Sequence, residues 1–219
     1  MNNDPELLYR YLNQTKELYG DLLLENPLNG HQETDTNDLA AFQRAIKDCQ
    51  NCPLGATRTN FVFGVGNPQA DIVFVGEAPG YQEDQKGEPF VGRAGQLLDK
   101  ILAAINLTRE DIYLCNVLKC RPPDNRDPLP AEVNECEPYL KKQLSIIQPK
   151  LIVALGRIAA CTILKTKESL GSMRNQTHQY EGIDLIVTYH PAALLRNPNF
   201  KKPTWEDFQL IRDKYSTII

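Results

Sequence analysis

Long apolar runs are missing from this 219-residue chain, and none approaches the roughly 20 residues that span a bilayer. The opening Met1-Asn2-Asn3-Asp4-Pro5-Glu6 has neither the positive region nor the small-residue cleavage site of a secretory signal. A cytoplasmic protein with no membrane contact is therefore expected. Internal repeats and low-complexity tracts are absent too. An excess of positive charge is also lacking, since 24 Lys+Arg stand against 28 Asp+Glu for a net charge of −4. Taken alone, that balance speaks against nucleic acid, whose phosphates need clustered cations. What is present, 42% hydrophobic and 24% charged residues, is the mixture of a globular protein with one core.

The charge is unevenly spread. Residues 1–40 hold two basic and eight acidic side chains, a net of −6, which leaves residues 41–219 at +2 with all six cysteines. The leader carries Leu7, Leu8, Tyr11, Leu12, Leu18, Tyr19, Leu22 and Leu23 at three- and four-residue spacing, which predicts an amphipathic helix. A polar stretch from Asn26 to Asp38 reads as a linker. Two domains follow: an acidic extension over 1–40 and a body over 41–219. The leader helix packs on its own domain or meets a protein partner, and the sequence favours neither.

The body alternates strand and helix patterns. Strands are expected over 71–75, 112–118, 150–155 and 183–189, and helices over 95–105, 130–147, 157–165 and 204–218. Near-continuous apolar strands alternating with helices predict a parallel sheet covered on both faces. The fold class is thus α/β: a three-layer α/β/α sandwich around a mainly parallel four-stranded sheet, with an N-terminal helical extension.

Ligands of such sheets bind beyond the carboxyl ends of the strands. The residues there are Glu77-Ala78-Pro79-Gly80, Asn116, Gly156-Arg157 and His190-Pro191. A carboxylate, an amide and an imidazole would share one edge. Cys49-x-x-Cys52 forms one cysteine pair, and Cys120 with Cys136 a second. Four thiolates can hold tetrahedral zinc or a cubane iron–sulfur cluster, and spacing does not separate the two. Cys115 and Cys161 read as core residues. Between Cys120 and Cys136 runs a basic, proline-rich loop.

These residues resemble the iron–sulfur (type 4) uracil-DNA glycosylases. The match is carried by Cys49-x-x-Cys52, Gly76-Glu-Ala-Pro-Gly80-x-x-Glu83-Asp84, Pro89-Phe-Val-Gly-Arg-Ala-Gly-Gln-Leu-Leu98, Asn116-Val-Leu-Lys-Cys-Arg-Pro-Pro123 followed by Cys136, and His190-Pro-Ala-Ala-Leu-Leu-Arg-Asn-Pro198. Five motifs in the family's order are highly specific. The resemblance implies a structural [4Fe–4S] cluster on Cys49, Cys52, Cys120 and Cys136, with zinc as the alternative occupant. It also implies hydrolysis of the N-glycosidic bond of deoxyuridine in DNA, leaving an abasic site. Related enzymes with a covalent histidine carry an Arg-Arg-Ile-His loop. Here Asn125-Arg126-Asp127-Pro128 occupies that stretch, so direct attack by water is expected.

Roles follow for single residues. Phe90 would stack on the flipped base, although an isolated Phe is usually core. Asn116 would pair with uracil O4 and N3–H, and a mismatched base would leave buried polar groups unpaired. His190 would donate to O2 as charge develops there, beside the backbone of Glu77, Ala78, Pro79 and Gly80. The better-known uracil glycosylases have Gln-Asp-Pro-Tyr where this chain has Glu77-Ala78-Pro79-Gly80, so water positioning falls to Glu77 and Glu83. Leu194 and Leu195 would fill the gap left by the base, and Lys119, Arg121, Arg126 and Arg196 would meet phosphates. The expected partner is uracil-containing DNA, and the expected state is a monomer. Two rival readings are a catalytically inactive or accessory DNA-binding iron–sulfur module associated with replication, and a zinc or cluster redox protein. The intact Glu77, Asn116 and His190 argue against the first.

Overall fold

A computed structural model describes residues 38–214. The predicted leader helix, and the linker up to Asn37, fall on residues outside that span. The elements, in chain order, are α1 (Leu39–Ile46), α2 (Leu54–Thr57), β1 (Val65–Gly66), β2 (Ile72–Gly76), α3 (Tyr81–Lys86), α4 (Arg93–Ala103), β3 (Tyr113–Asn116), α5 (Pro130–Ile147), β4 (Leu151–Leu155), α6 (Arg157–Leu164), α7 (Leu170–Met173), β5 (His178–Tyr180), β6 (Ile183–Thr188), α8 (Pro191–Arg196) and α9 (Lys201–Lys214).

Among the described residues the strands make one sheet in the order β1-β3-β2-β4-β6-β5. The four expected strands form its parallel centre, with Val73 opposite both Tyr113 and Ile152. The two additional strands pair antiparallel at the edges and are two and three residues long. Runs that short carry no apolar signature, which is why the sequence predicts four strands and the fold has six. The central strands are buried on both faces because helices cover both.

Alternation along β2 sorts the core into two layers. Val73 and Val75 point to one face, where Val133, Leu140 and Leu144 of α5 and Ala160 and Ile163 of α6 pack. Ile72 and Phe74 point to the other, against Leu98 and Leu102 of α4 and Phe208 and Ile211 of α9. Phe74 and Phe208 stack with centroids 6.0 Å apart. This is a three-layer α/β/α sandwich. The chain leaves β2 toward the α4 face and leaves β4 toward the α6 face. A crevice therefore opens at the carboxyl ends of these neighbouring strands.

Helix ends follow local chemistry. Asp38 caps α1 by accepting from the Ala40 amide, and Pro130 opens α5 at the position predicted for it. In α5, Glu132 folds back to accept from the Leu129 amide. No helix among the described residues is long and apolar enough to cross a membrane.

Candidate active site

A cavity of about 380 Å³ lies in that crevice. Glu77, Ala78, Pro79, Gly80, Glu83, Phe90, Asn116, Arg126, His190 and Arg196 line it, as the sequence places them. Ala94, Pro122, Asn125, Asp127 and Ala192 complete the wall.

Asn116 ends β3 and is only 3% exposed. Its amide makes no hydrogen bond to the described protein, so its donor and acceptor are both left for the cavity. A Cβ on Gly76, the last residue of β2, would collide with Asn116 Oδ1 and with the Phe90 ring. Glycine there lets the amide and the ring lie against the strand end.

Phe90 has a left-handed backbone (φ 54°), which costs a non-glycine residue on the order of 1–3 kcal/mol. Two side chains hold it there. Glu83 Oε1 accepts the Val91 and Gly92 amides at 3.1 Å each, and Arg109 donates to the Phe90 carbonyl while its Nε pairs with Asp99 at 2.7 Å. One oxygen of Glu83 is thus committed to the Phe90 turn. The ring itself is stacked with that of His190, near-parallel at 26° with 5.7 Å between centroids, and both line the cavity.

His190 caps α8, and its Nδ1 accepts the Ala192 amide at 3.1 Å. The neutral imidazole must then carry its proton on Nε2. Burial, with help from the charge of Arg196, pushes its pKa down to about 4, while Glu83 pulls the other way. His190 is therefore a neutral donor at physiological pH. Gly156 (φ 92°) passes so close that a Cβ would stand 2.9 Å from His190 Cβ. Behind the strand end, Asp207 accepts from Thr188 Oγ1 at 2.6 Å and from Arg174 through both oxygens at 2.8 Å. Arg174 stacks over Tyr189, which stacks on Phe200 at 4.4 Å.

Glu77 follows β2. Burial first, and then the charge of Asp127, push its pKa up to about 7, partly offset by Arg157. Asp127 is the site residue that sequence reasoning passed over. It lies in the loop after Cys120, where Arg126 forks onto Glu132 at 2.9 and 2.5 Å and so pins the loop. Arg126 is accordingly committed to Glu132 and to its neighbour's carbonyl.

Three expected roles need correction or division. Lys119, expected to meet phosphate, is fully buried, and its Nζ donates to the Asn116 carbonyl at 2.7 Å. The chain turns inward there to place Cys120, so this lysine faces the protein. Burial pushes its pKa down, against the nearby thiols of Cys115, Cys136 and Cys120. Leu194, expected as part of a wedge, is 3% exposed and packs inward from α8, whereas Leu195 is 42% exposed. Arg121 does not line the cavity but stands at its rim over Tyr81.

The expected ligand cysteines approach one another. The thiol of Cys120 feels those of Cys52 and Cys49, and that of Cys136 feels Cys120 and Cys52. Three of the sulfurs already accept hydrogen bonds. Cys49 takes them from Tyr139 Oη (3.2 Å) and the Asn51 amide (3.5 Å), Cys120 from Arg58 (3.2 Å), and Cys136 from the Lys119 amide (3.3 Å). Among the described residues no group of three or more His, Cys, Asp or Glu side chains is arranged to hold a single metal ion. Of the remaining cysteines, Cys115 is core as expected, but Cys161 is only half-buried, its thiol toward the Glu168 carbonyl at 3.5 Å.

Comparison with known proteins places the chain in a family. The uracil DNA glycosylase superfamily model matches residues 63–209. A type-4 uracil-DNA glycosylase of Archaeoglobus fulgidus is 49% identical over 176 residues, 77% of this chain and 88% of the relative. One from Thermotoga maritima is 49% identical over 154 residues, 69% of this chain and 80% of the relative. Another, from Sulfurisphaera tokodaii, is 45% identical over 186 residues, 81% of this chain and 84% of the relative. With the superfamily model matching most of the chain and identity this high over most of each relative, the chain belongs to the type-4 uracil-DNA glycosylases of the uracil DNA glycosylase superfamily.

Proposed function

We propose that this protein removes uracil from DNA by hydrolysing its N-glycosidic bond, leaving an abasic site for base excision repair. The carrying observation is the cavity itself, where an uncommitted amide, an aromatic ring and a neutral imidazole donor converge. Uracil inside a duplex must be turned out of the stack, at a cost of a few kcal/mol. Leu195, exposed on α8, is the side chain available to fill the gap, and Arg196 beside it suits a phosphate.

In the cavity the base lies on Phe90. The Asn116 amide donates to O4 and accepts from N3–H. Cytosine presents these groups in the reverse order and would leave the buried amide unpaired. As the bond to the sugar lengthens, negative charge collects on N1 and O2. Nε2–H of His190 meets it without any proton changing hands. A preorganised donor of this kind contributes about 3–4 kcal/mol to the transition state. The sugar becomes cationic at the same time, and Glu77 with Asp127 supplies the opposing field. Glu77, titrating near neutrality, takes the proton from the attacking water. Glu83, with one oxygen held by the Phe90 turn, acts by positioning that turn.

Cys49, Cys52, Cys120 and Cys136 would hold a [4Fe–4S] cluster, and the donors already aimed at three of these sulfurs suit thiolate ligands. The chemistry such a group supplies is structural. It would tie residues 49–58 to the loop that carries Pro122, Asn125 and Asp127 into the cavity wall. Zinc is the alternative, and an absorption band near about 400 nm, with iron by elemental analysis, separates the two. The accessory-module reading is not favoured, because the relatives at 41–49% identity are named as glycosylases. A single-turnover assay on uracil, hypoxanthine and thymine-mismatch oligonucleotides tests the proposal. Alkali-labile sites are expected with uracil, and none with metal-loaded protein would overturn it.

A further inference from the structure

One aromatic side chain at the mouth of the cavity has no part in the chemistry above. Tyr81 is the first residue of α3, directly after Gly80 of the cavity wall, and it is 55% exposed. It is the most exposed large hydrophobic side chain among the described residues. The guanidinium of Arg121 sits 5.2 Å from its ring centroid. That guanidinium is held from a second side, because Arg121 Nε donates to Asn125 Oδ1 at 2.8 Å. Asn125 and Pro122, from the loop after Cys120, also line the cavity. The pair therefore joins two segments that line the pocket, the Gly80 turn and the loop after Cys120, with a partly aromatic and partly cationic surface. The two Nη groups of Arg121 have no protein hydrogen-bond partner among the described residues.

An exposed ring beside a planar cation is suited to the face of a nucleobase, with the free guanidinium edge turned to a phosphate. A base inside an intact duplex offers no face, since its neighbours cover both. The neighbour of an extruded uridine does offer one, and in single-stranded DNA it has no partner strand to hold it in place. We propose that Tyr81 and Arg121 form a stacking subsite for the unpaired nucleobase next to the flipped uridine, with Arg121 also reaching the phosphate between them. This subsite favours single-stranded uracil-DNA and tolerates any base, because every base has a π-face. The proposal rests on the reading of the cavity as the uracil site.

The test pairs a protein change with a DNA change. The full chain, loaded with its metal, is compared with Tyr81→Ala and Tyr81→Phe on a single-stranded oligonucleotide containing one deoxyuridine. The same strand is also made with an abasic spacer replacing the nucleotide on the 5′ or the 3′ side. Dissociation constants are read by fluorescence anisotropy. Tyr81→Ala is expected to weaken binding to the complete strand by about 5- to 100-fold, with Tyr81→Phe close to the parent. The parent is expected to lose a similar factor when the spacer replaces the base on one side. On that spacer strand Tyr81→Ala should lose little more. Independent losses from the two changes would overturn the subsite, as would equal affinity of Tyr81→Ala and parent for the complete strand. An equal loss on a fully paired duplex would assign Tyr81 to general binding and also refute it. Failure of the parent to release uracil would instead overturn the reading of the cavity.

Discussion

Replacing Glu77 by Gln should make the protein more stable, and only at neutral to alkaline pH. The carboxyl is pushed from an ordinary 4.5 up to about 7, first by burial and then by Asp127. Below about pH 4.5 it is protonated in both folded and unfolded chains, and folding is indifferent to it. Between about 4.5 and 7 the unfolded chain releases the proton while the folded chain keeps it, so native stability falls as pH rises. Above about 7 the penalty is complete. At about 1.4 kcal/mol per pH unit the interval corresponds to roughly 3 kcal/mol, which solvent around this partly exposed group reduces to about 1–2 kcal/mol. Glutamine keeps the shape and removes the charge.

The assay is thermal unfolding of Glu77→Gln and parent at about pH 5 and about pH 8.5. Each comparison cancels the titration of His190 and every other group. For a domain of this size the gain at the higher pH should be roughly 2–8 °C, and at the lower pH much smaller. The same variant should lose most of its excision rate, a stability gain made at the expense of activity. An equal gain at both pH values would trace the effect to packing. No gain at the higher pH would refute the buried, acid-facing carboxylate altogether.

Other substitutions test the neighbouring groups. Asp127→Asn should move the acid limb of the pH–rate profile to lower pH, because it removes a charge that raises Glu77, while Arg157→Ala should move it to higher pH. His190→Ala should lower the single-turnover rate by about 10²–10³-fold with duplex binding largely kept. Asn116→Ala should lower it similarly, and Asn116→Asp should raise the relative rate on cytosine, read on paired uracil and cytosine strands. Asp207→Ala should cost about 3–5 kcal/mol in denaturant unfolding, since it leaves Arg174 buried and unpaired. Leu194→Ala should cost about 2–5 kcal/mol of stability, whereas Leu195→Ala should leave stability intact and slow excision from duplex more than from single strands.

The legible part of this molecule was the part governed by repetition. Buried parallel strands must be apolar throughout, so β2, β4 and β6 stood out, and Pro130 marked the start of α5. Residues at strand ends could be placed because the sheet brings them to one edge. What could not be read depends on the direction a single side chain takes. Lys119 sits in a basic, loop-like stretch, and only the inward turn toward Cys120 shows that its charge is spent on the Asn116 carbonyl. Leu194 and Leu195 are equivalent in sequence, but the helix turns one inward and the other outward. The left-handed turn at Phe90 is set by Glu83 and Arg109, seven residues before it and nineteen after, and no local motif announces that pairing.

The cavity also explains how an enzyme of DNA can be acidic at its centre. Three carboxylates, Glu77, Glu83 and Asp127, line a pocket whose substrate is a polyanion. Phosphates need not enter it. Arg121 stands at the rim, where a backbone would pass on the proposed reading, and of the two arginines in the wall Arg126 is already paired with Glu132. On the proposed reading, the developing charges inside are opposite in sign: negative on the base, toward the neutral donor His190, and positive on the sugar, toward Glu77 and Asp127. A cationic pocket would bind DNA more tightly throughout and oppose the sugar cation at the step that matters. Favouring the transition state over the bound ground state calls for carboxylates beside the sugar. The net charge of the chain therefore says little about its partner, and the placement of its carboxylates says more.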